Sequence, residues 1–135
     1  MTHLLLAYDG SEGARRALDA AATLYREGDA VTVVGVAEGR PLVGHLTTLR
    51  SPEQERDRER ELGEAVAALA AHGIAATTVA RHGDPAAAIL DEAESRGAEL
   101  VVLGTRGLSD TQRWLLGSVS TKVVQHARCS VLVVR

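Results

Sequence analysis

The residues best suited to chemistry are Gly104-Thr105-Arg106-Gly107, followed after nine residues by Gly117-Ser118-Val119-Ser120. Gly104 closes a strand-like run, and a residue without Cβ there lets backbone approach a ligand. Gly107 can adopt positive φ and turn the loop back. Gly117 and Ser118 then open a helix-like pattern. The first amides of a helix have no intrahelical acceptor, and the dipole places about half a positive charge at that end. Phosphate suits such a place. Ser118 and Ser120 can add hydroxyl donors, Arg106 a cation, and Lys122 another if it folds back. Spacing alone leaves a second reading open, in which these glycines only punctuate turns. The chain contains neither GxxxxGK[ST] nor GxGxxG, so this is not a Walker A loop or a dinucleotide fingerprint.

Something must hold this loop, and the rest of the chain supplies it. Strand-length apolar runs recur at Leu4 to Tyr8, Val31 to Ala37, Ile74 to Ala80, Leu100 to Leu103 and Val131 to Val134. Near-continuous Val and Leu suit strands buried on both faces of a parallel sheet. Helical patterns alternate with them. Ala14, Ala17, Leu18, Ala21 and Tyr25 share one face of the first, with Gly28 as its stop. The second opens Ser51-Pro52-Glu53-Gln54, a cap, a first-turn proline and a capping-box partner. It carries Leu62, Ala65, Val66 and Leu69 and ends at Gly73. The third opens Asp84-Pro85, buries Ala86, Ile89, Leu90 and Ala93, and closes at Gly97. The fourth starts near Gly117 and carries Val119, Val123, Val124 and Ala127.

This alternation predicts one α/β domain over residues 1–135, an open parallel sheet with helices on both faces. Two long loops, Glu38 to Arg50 and Thr105 to Leu116, follow strands and belong at the sheet's carboxyl edge, where such folds bind ligands. The last strand, Val131 to Val134, belongs at a sheet edge, where pairing with a second copy would bury it.

Composition narrows the function. A net charge of -3 offers no basic field for nucleic acid and no polybasic membrane anchor. No apolar run approaches the ~20 residues of a membrane span, and the N-terminus lacks signal-peptide features. The single cysteine, Cys129, cannot form an internal disulfide, which fits a cytoplasmic protein.

The glycine pattern resembles the GxxG-x9-G[ST] signature of ATP-binding universal stress proteins. The likeness spans the chain: Leu6-Ala7-Tyr8-Asp9-Gly10-Ser11, His82-Gly83-Asp84-Pro85, Leu100 to Gly104, and Leu116 to Arg135. It implies a Rossmann-like five-stranded sheet of order 3-2-1-4-5 and a homodimer. It also implies an adenosine pocket lined by Ala7 and Asp9 at the end of the first strand, with Val36 against the base. Gly104, Gly107, Gly117, Ser118, Val119 and Ser120 would hold ribose and phosphates, and Leu103 and Arg106 are further residues expected to bind the nucleotide. Arg106 falls where the family varies. The implied ligand is ATP, with Mg²⁺ or Mn²⁺ carried by its phosphates rather than by a protein cage.

Other residues read more plainly. Asp9 has a plainer alternative, capping the first helix or a turn with Gly10-Ser11. No two of His3, His45, His72, His82 and His126 are three to five apart, as a zinc motif requires. Cys129 has no CxxC partner and reads as packing. The charges from Glu53 to Glu61 read as a solvated helix face with i,i+3 and i,i+4 pairs. Trp114 fits a loop anchor, an interface residue or a pocket wall. The chain has no GxSxG elbow and no HExxH, and no residue stands out as a base for an attacking water. The leading expectation is a nucleotide-dependent sensor or regulator in stress response, acting on a protein partner the sequence does not identify. The alternatives are a slow ATPase or nucleotidyl-transfer enzyme, and a dimeric scaffold without nucleotide.

Overall fold

The computed structural model describes residues 1–38, 40–41, 48–49, 52–105 and 116–135. Each apolar run becomes a strand: β1 (His3–Ala7), β2 (Ala30–Ala37), β5 (Ala76–His82), β6 (Leu100–Gly104) and β7 (Ser130–Val134). Two short strands, β3 (Arg40–Pro41) and β4 (Thr48–Leu49), pair antiparallel in the long loop after β2. The helices are α1 (Glu12–Leu24), α2 (Pro52–Ala71), α3 (Pro85–Arg96) and α4 (Ser118–His126).

The main sheet is wholly parallel, in the order β5-β2-β1-β6-β7. Counting only its own strands, that order is 3-2-1-4-5. Alternation along each strand sends side chains to two separate cores. Leu4, Leu6 and Tyr8 face α1 and α2, packed with Ala17, Leu18, Leu62 and Leu69. Leu5, Val34, Val101 and Leu103 face α3 and α4, packed with Ala86, Ile89 and Val123. A run such as Leu4-Leu5-Leu6 is therefore apolar without a break because it feeds both cores.

The helix ends follow from local chemistry. Ser11 Oγ accepts the Ala14 amide and caps α1, and Asp84 Oδ2 accepts the Ala87 amide and caps α3. Gly97, left-handed at φ 63°, closes α3, with its own amide and that of Ala98 bonded back into the last turn. Gly73 closes α2 in the same manner, and the Ile74 amide donates to the Leu69 carbonyl. Ile74 thus belongs to the helix closure, and β5 starts two residues later than its apolar run.

Two expectations need correction. Gly28 does not stop α1: the helix ends at Leu24 because Tyr25 turns extended (φ -59°, ψ 136°) and lays its ring against the core. Gly28, at φ 94°, serves the turn into β2. Val124 is not buried but 46% exposed, because α4 packs on α3 and β7 near the open rim of the sheet. Ser51 lies outside the described residues.

Candidate functional site

The chain switches direction about β1. From there it runs outward to β2 and β5 on one side, and to β6 and β7 on the other. The carboxyl ends of β1 and β6 part at this switch point, the usual ligand crevice of open α/β sheets. A cleft opens there, walled by strand ends and by the first turns of three helices. Ala7, Val34, Val36, Leu103 and Gly104 come from the strands. Ser11 and Ala14 come from the start of α1, Pro85 and Ile89 from the start of α3, and Val119 from the start of α4. Tyr8, Asp9 and Thr105 complete it.

The lining is mixed: Val34, Val36, Pro85 and Ile89 are apolar, and Asp9, Ser11 and Thr105 are polar. Asp9 Oδ1 accepts the Ser11 amide at 2.9 Å, so the carboxylate braces the turn leading into α1. The Thr105 amide donates to the Val134 carbonyl at 3.1 Å, which fixes the root of the long loop to β7. Among the described residues that line the cleft, Asp9 is the one carboxylate, and no lysine or arginine joins it. An anion here would therefore depend on main-chain amides and helix ends rather than on a described cation.

Gly117 supplies such an end. It is the N-cap of α4, in extended conformation, with no side-chain hydrogen bond to the helix. Ser118 is exposed beside it. Ser120 differs: it is 2% exposed, and its hydroxyl donates to the Gly117 carbonyl at 3.0 Å. That hydroxyl hydrogen is spent inside the helix, which leaves Ser118 as the hydroxyl donor at this end.

Ala7, Asp9, Val36, Leu103, Gly104 and Val119 thus meet around one cleft, as their positions in the sequence suggest. Gly117, Ser118 and Ser120 stand at the start of α4 without walling it, and Arg106, Gly107 and Trp114 lie outside the described residues. Sequence reasoning missed Ser11, Pro85 and Ile89 as walls. The cap-forming Ser11 and Asp84-Pro85 were the available signals, because helix starts at the carboxyl edge face the crevice.

Gly104 has a different reason to be glycine than ligand approach. A Cβ there would strike the Gly13 carbonyl, with the Gly13 carbonyl carbon at 2.5 Å. A Cβ on Gly13 would meet the Thr105 oxygen at 2.5 Å. The pair lets the first turn of α1 press onto the end of β6.

The cleft encloses about 70 Å³, well below the ~300–1,000 Å³ of typical small-molecule sites. A larger hollow of about 250 Å³ lies between α3 and the end of α4, beside His126, Arg128 and Cys129. It contains none of the glycine-loop residues. Among the described residues, no three His, Cys, Asp or Glu side chains gather as a metal site.

On the opposite face of the same edge, α2 turns two charged residues inward. Arg58 and Glu61 pair at 2.5 Å with side chains only 15% and 17% exposed. The Arg58 stem crosses Gly35 of β2, and the Glu61 stem lies against Gly10. Burial pushes the Glu61 carboxyl above its ordinary range; Arg58 opposes this and Asp9 adds to it. The reading of Glu53 to Glu61 as a solvated face therefore fails at Arg58 and Glu61. Glycines at positions 10 and 35 leave the space these stems fill.

Fold and cleft together define a doubly wound α/β protein with a ligand crevice at its switch point. The comparisons make this specific. The model of the universal stress protein family matches residues 1–135, and the chain belongs to that family. It is 37% identical to the universal stress protein YxiE of Bacillus subtilis, covering 98% of this chain and 97% of that protein. Among solved structures it resembles a universal stress protein from Archaeoglobus fulgidus, at 27% identity and TM-score 0.82, covering 100% of this chain and 98% of that one. The structure of the Archaeoglobus fulgidus protein in complex with dAMP is similar at 25% identity and TM-score 0.78, with the same coverage.

Proposed function

We propose that this protein is a nucleotide-dependent regulator that binds an adenine nucleotide, ATP foremost, at the carboxyl edge of its sheet. The observation that carries this reading is the cleft itself. Val34, Val36, Pro85 and Ile89 give it apolar walls that form a slot, and Asp9 and Val119 at the start of α4 share the same lining. The base would enter the slot, where a flat heterocycle displaces water from aliphatic surface. Asp9 would accept hydrogen bonds from ribose hydroxyls. The phosphates would lie in the open mouth, against the uncapped amides after Gly117 and the Ser118 hydroxyl. Leu103, Gly104 and Val119 line the cleft, Ser120 braces the start of α4 through its bond to the Gly117 carbonyl, and Arg106 and Gly107 belong to the same loop in sequence. A Mg²⁺ or Mn²⁺ ion would travel with the phosphates and water. The dAMP complex of the Archaeoglobus fulgidus relative supports the ligand class.

The same reading places the protein in the cytoplasm as a homodimer joined through β7, in a stress response. β7 is an edge strand, and Val131, Leu132, Val133 and Val134 are each only partly buried within the monomer. The described residues include no helix long and apolar enough to cross a membrane.

Calorimetric titration with ATP and with AMP tests the proposal, alongside mass spectrometry of protein denatured directly after purification. A carried or titratable adenine nucleotide is the expected result. Binding should be lost in Gly117→Val with the fold retained. Absence of binding at millimolar nucleotide, or full affinity in Gly117→Val, defeats it.

A further inference from the structure

We propose that Glu61 is a positioning residue of the cleft: its stem buttresses the Asp9-Gly10-Ser11 turn from behind, and Arg58 holds it there. In its ligand-binding consequence this rests on the nucleotide reading above. The geometry is specific. Gly10 is left-handed at φ 78°, and a Cβ built on it would lie 3.1 Å from Glu61 Cγ. The side chain missing at position 10 is thus replaced by the stem of a residue from α2. Asp9 and Ser11, joined by their own 2.9 Å hydrogen bond, flank this contact and both line the cleft.

Glu61 reaches the turn because Arg58, one helical turn earlier, fixes its carboxylate at 2.5 Å. Arg58 is itself seated by Gly35, where a Cβ would lie 2.8 Å from Arg58 Cδ. Glycines on β2 and after β1 thus admit one i,i+3 pair as a solid strut. The charged groups around Glu61 are Arg58, Asp57 and Arg60 on its own helix and Asp9 across the turn. Sheltering a carboxylate beside another carboxylate is unfavourable, so packing on Gly10, not charge, is what the residue contributes.

The test compares Glu61→Ala, which removes the stem, with Glu61→Gln, which keeps it. The first readout needs no ligand: solvent exchange of the Ser11 amide by NMR. Glu61→Ala should speed it about tenfold while amides of β5 and α3 stay unchanged, and Glu61→Gln should stay within about twofold of wild type. Arg58→Met, which keeps the stem over Gly35 but frees Glu61, should speed it about threefold. It also serves if Glu61→Ala does not fold. The second readout is AMP affinity, expected to fall about fivefold in Glu61→Ala and to recover in Glu61→Gln. Unchanged Ser11 exchange in Glu61→Ala overturns the proposal, as does a Gln variant as impaired as the Ala variant. Faster Ser11 exchange in a protein that binds no adenine nucleotide upholds the strut and sinks the nucleotide reading alone.

Discussion

Two glutamates of this protein are sheltered to a similar degree and behave in opposite ways. Glu61, on α2, is 17% exposed and has one arginine, and its carboxyl is pushed up by burial. Glu92, on α3, is 10% exposed and has two. Arg96 Nε donates to one of its oxygens and Arg81 Nη1 to the other, each at 2.7 Å. Its carboxyl is pulled down, first by the hydrogen bond from Arg96 and next, against the cost of burial, by that from Arg81. The two differ in which influence leads: burial at Glu61, and the hydrogen bond from Arg96 at Glu92. Glu92 ties α3 to β5 and so fixes a wall of the cleft, and Glu61 props the turn behind it at an electrostatic cost.

The largest expected effect is from Glu92→Ala. It leaves two partly sheltered guanidiniums without their shared carboxylate and should cost about 2–3 kcal/mol, read from urea unfolding at pH 7. An effect under ~0.5 kcal/mol would reduce Glu92 to a surface ion pair. Next is Arg58→Ala, which leaves the Glu61 carboxylate sheltered and unpaired. A loss of about 1–2 kcal/mol is expected at pH 7, shrinking as the pH falls and Glu61 takes up a proton.

The pH dependence of the two sites sharpens the contrast. Glu92 has a lowered folded pKa, so its stabilisation is present above the ordinary glutamate value of 4.5 and is lost as pH falls through the folded pKa. Glu61 has a raised folded pKa, so its contribution is complete below 4.5 and is lost as pH rises through the folded pKa. Glu92→Gln should therefore flatten the acid limb of stability against pH, and Glu61→Gln the limb just above it. The smallest effect is Glu61→Gln at pH 7: neutral, or stabilising by up to about 1 kcal/mol. Destabilisation by Gln there would show that the charge of Glu61 is favourable and end the comparison.

Much of this architecture was legible in the residues. Val31 to Ala37 and Leu100 to Leu103 are apolar without a break because both sides of the strand are covered, and Asp84-Pro85 carries its own start signal. Gly117 was legible for the same reason, since capping is a local property. What escaped were contacts between distant positions. Nothing near Gly104 says that Gly13 will lie against it. A glycine in the first turn of α1 was a hint, since helices disfavour it by about 1 kcal/mol relative to alanine. Arg58 and Glu61 escaped because the helical pattern of α2 assigns charge to the outside, and only Gly10 and Gly35 on other elements create the room within. Val124 was misread because α4 packs on α3 and β7 near the rim, which leaves Val124 exposed among the described residues.

The hydrogen bond from the Thr105 amide to Val134 has a further meaning. Thr105 stands at once in the cleft wall, at the root of the glycine loop and one step from the outermost strand. Whatever docks along β7 would rest on a strand whose carbonyl steadies that threonine. The rim of the sheet and the mouth of the cleft are thereby neighbours along one continuous ladder, since Leu103 and Gly104, which line the cleft, pair with Val133 and Val134 of β7.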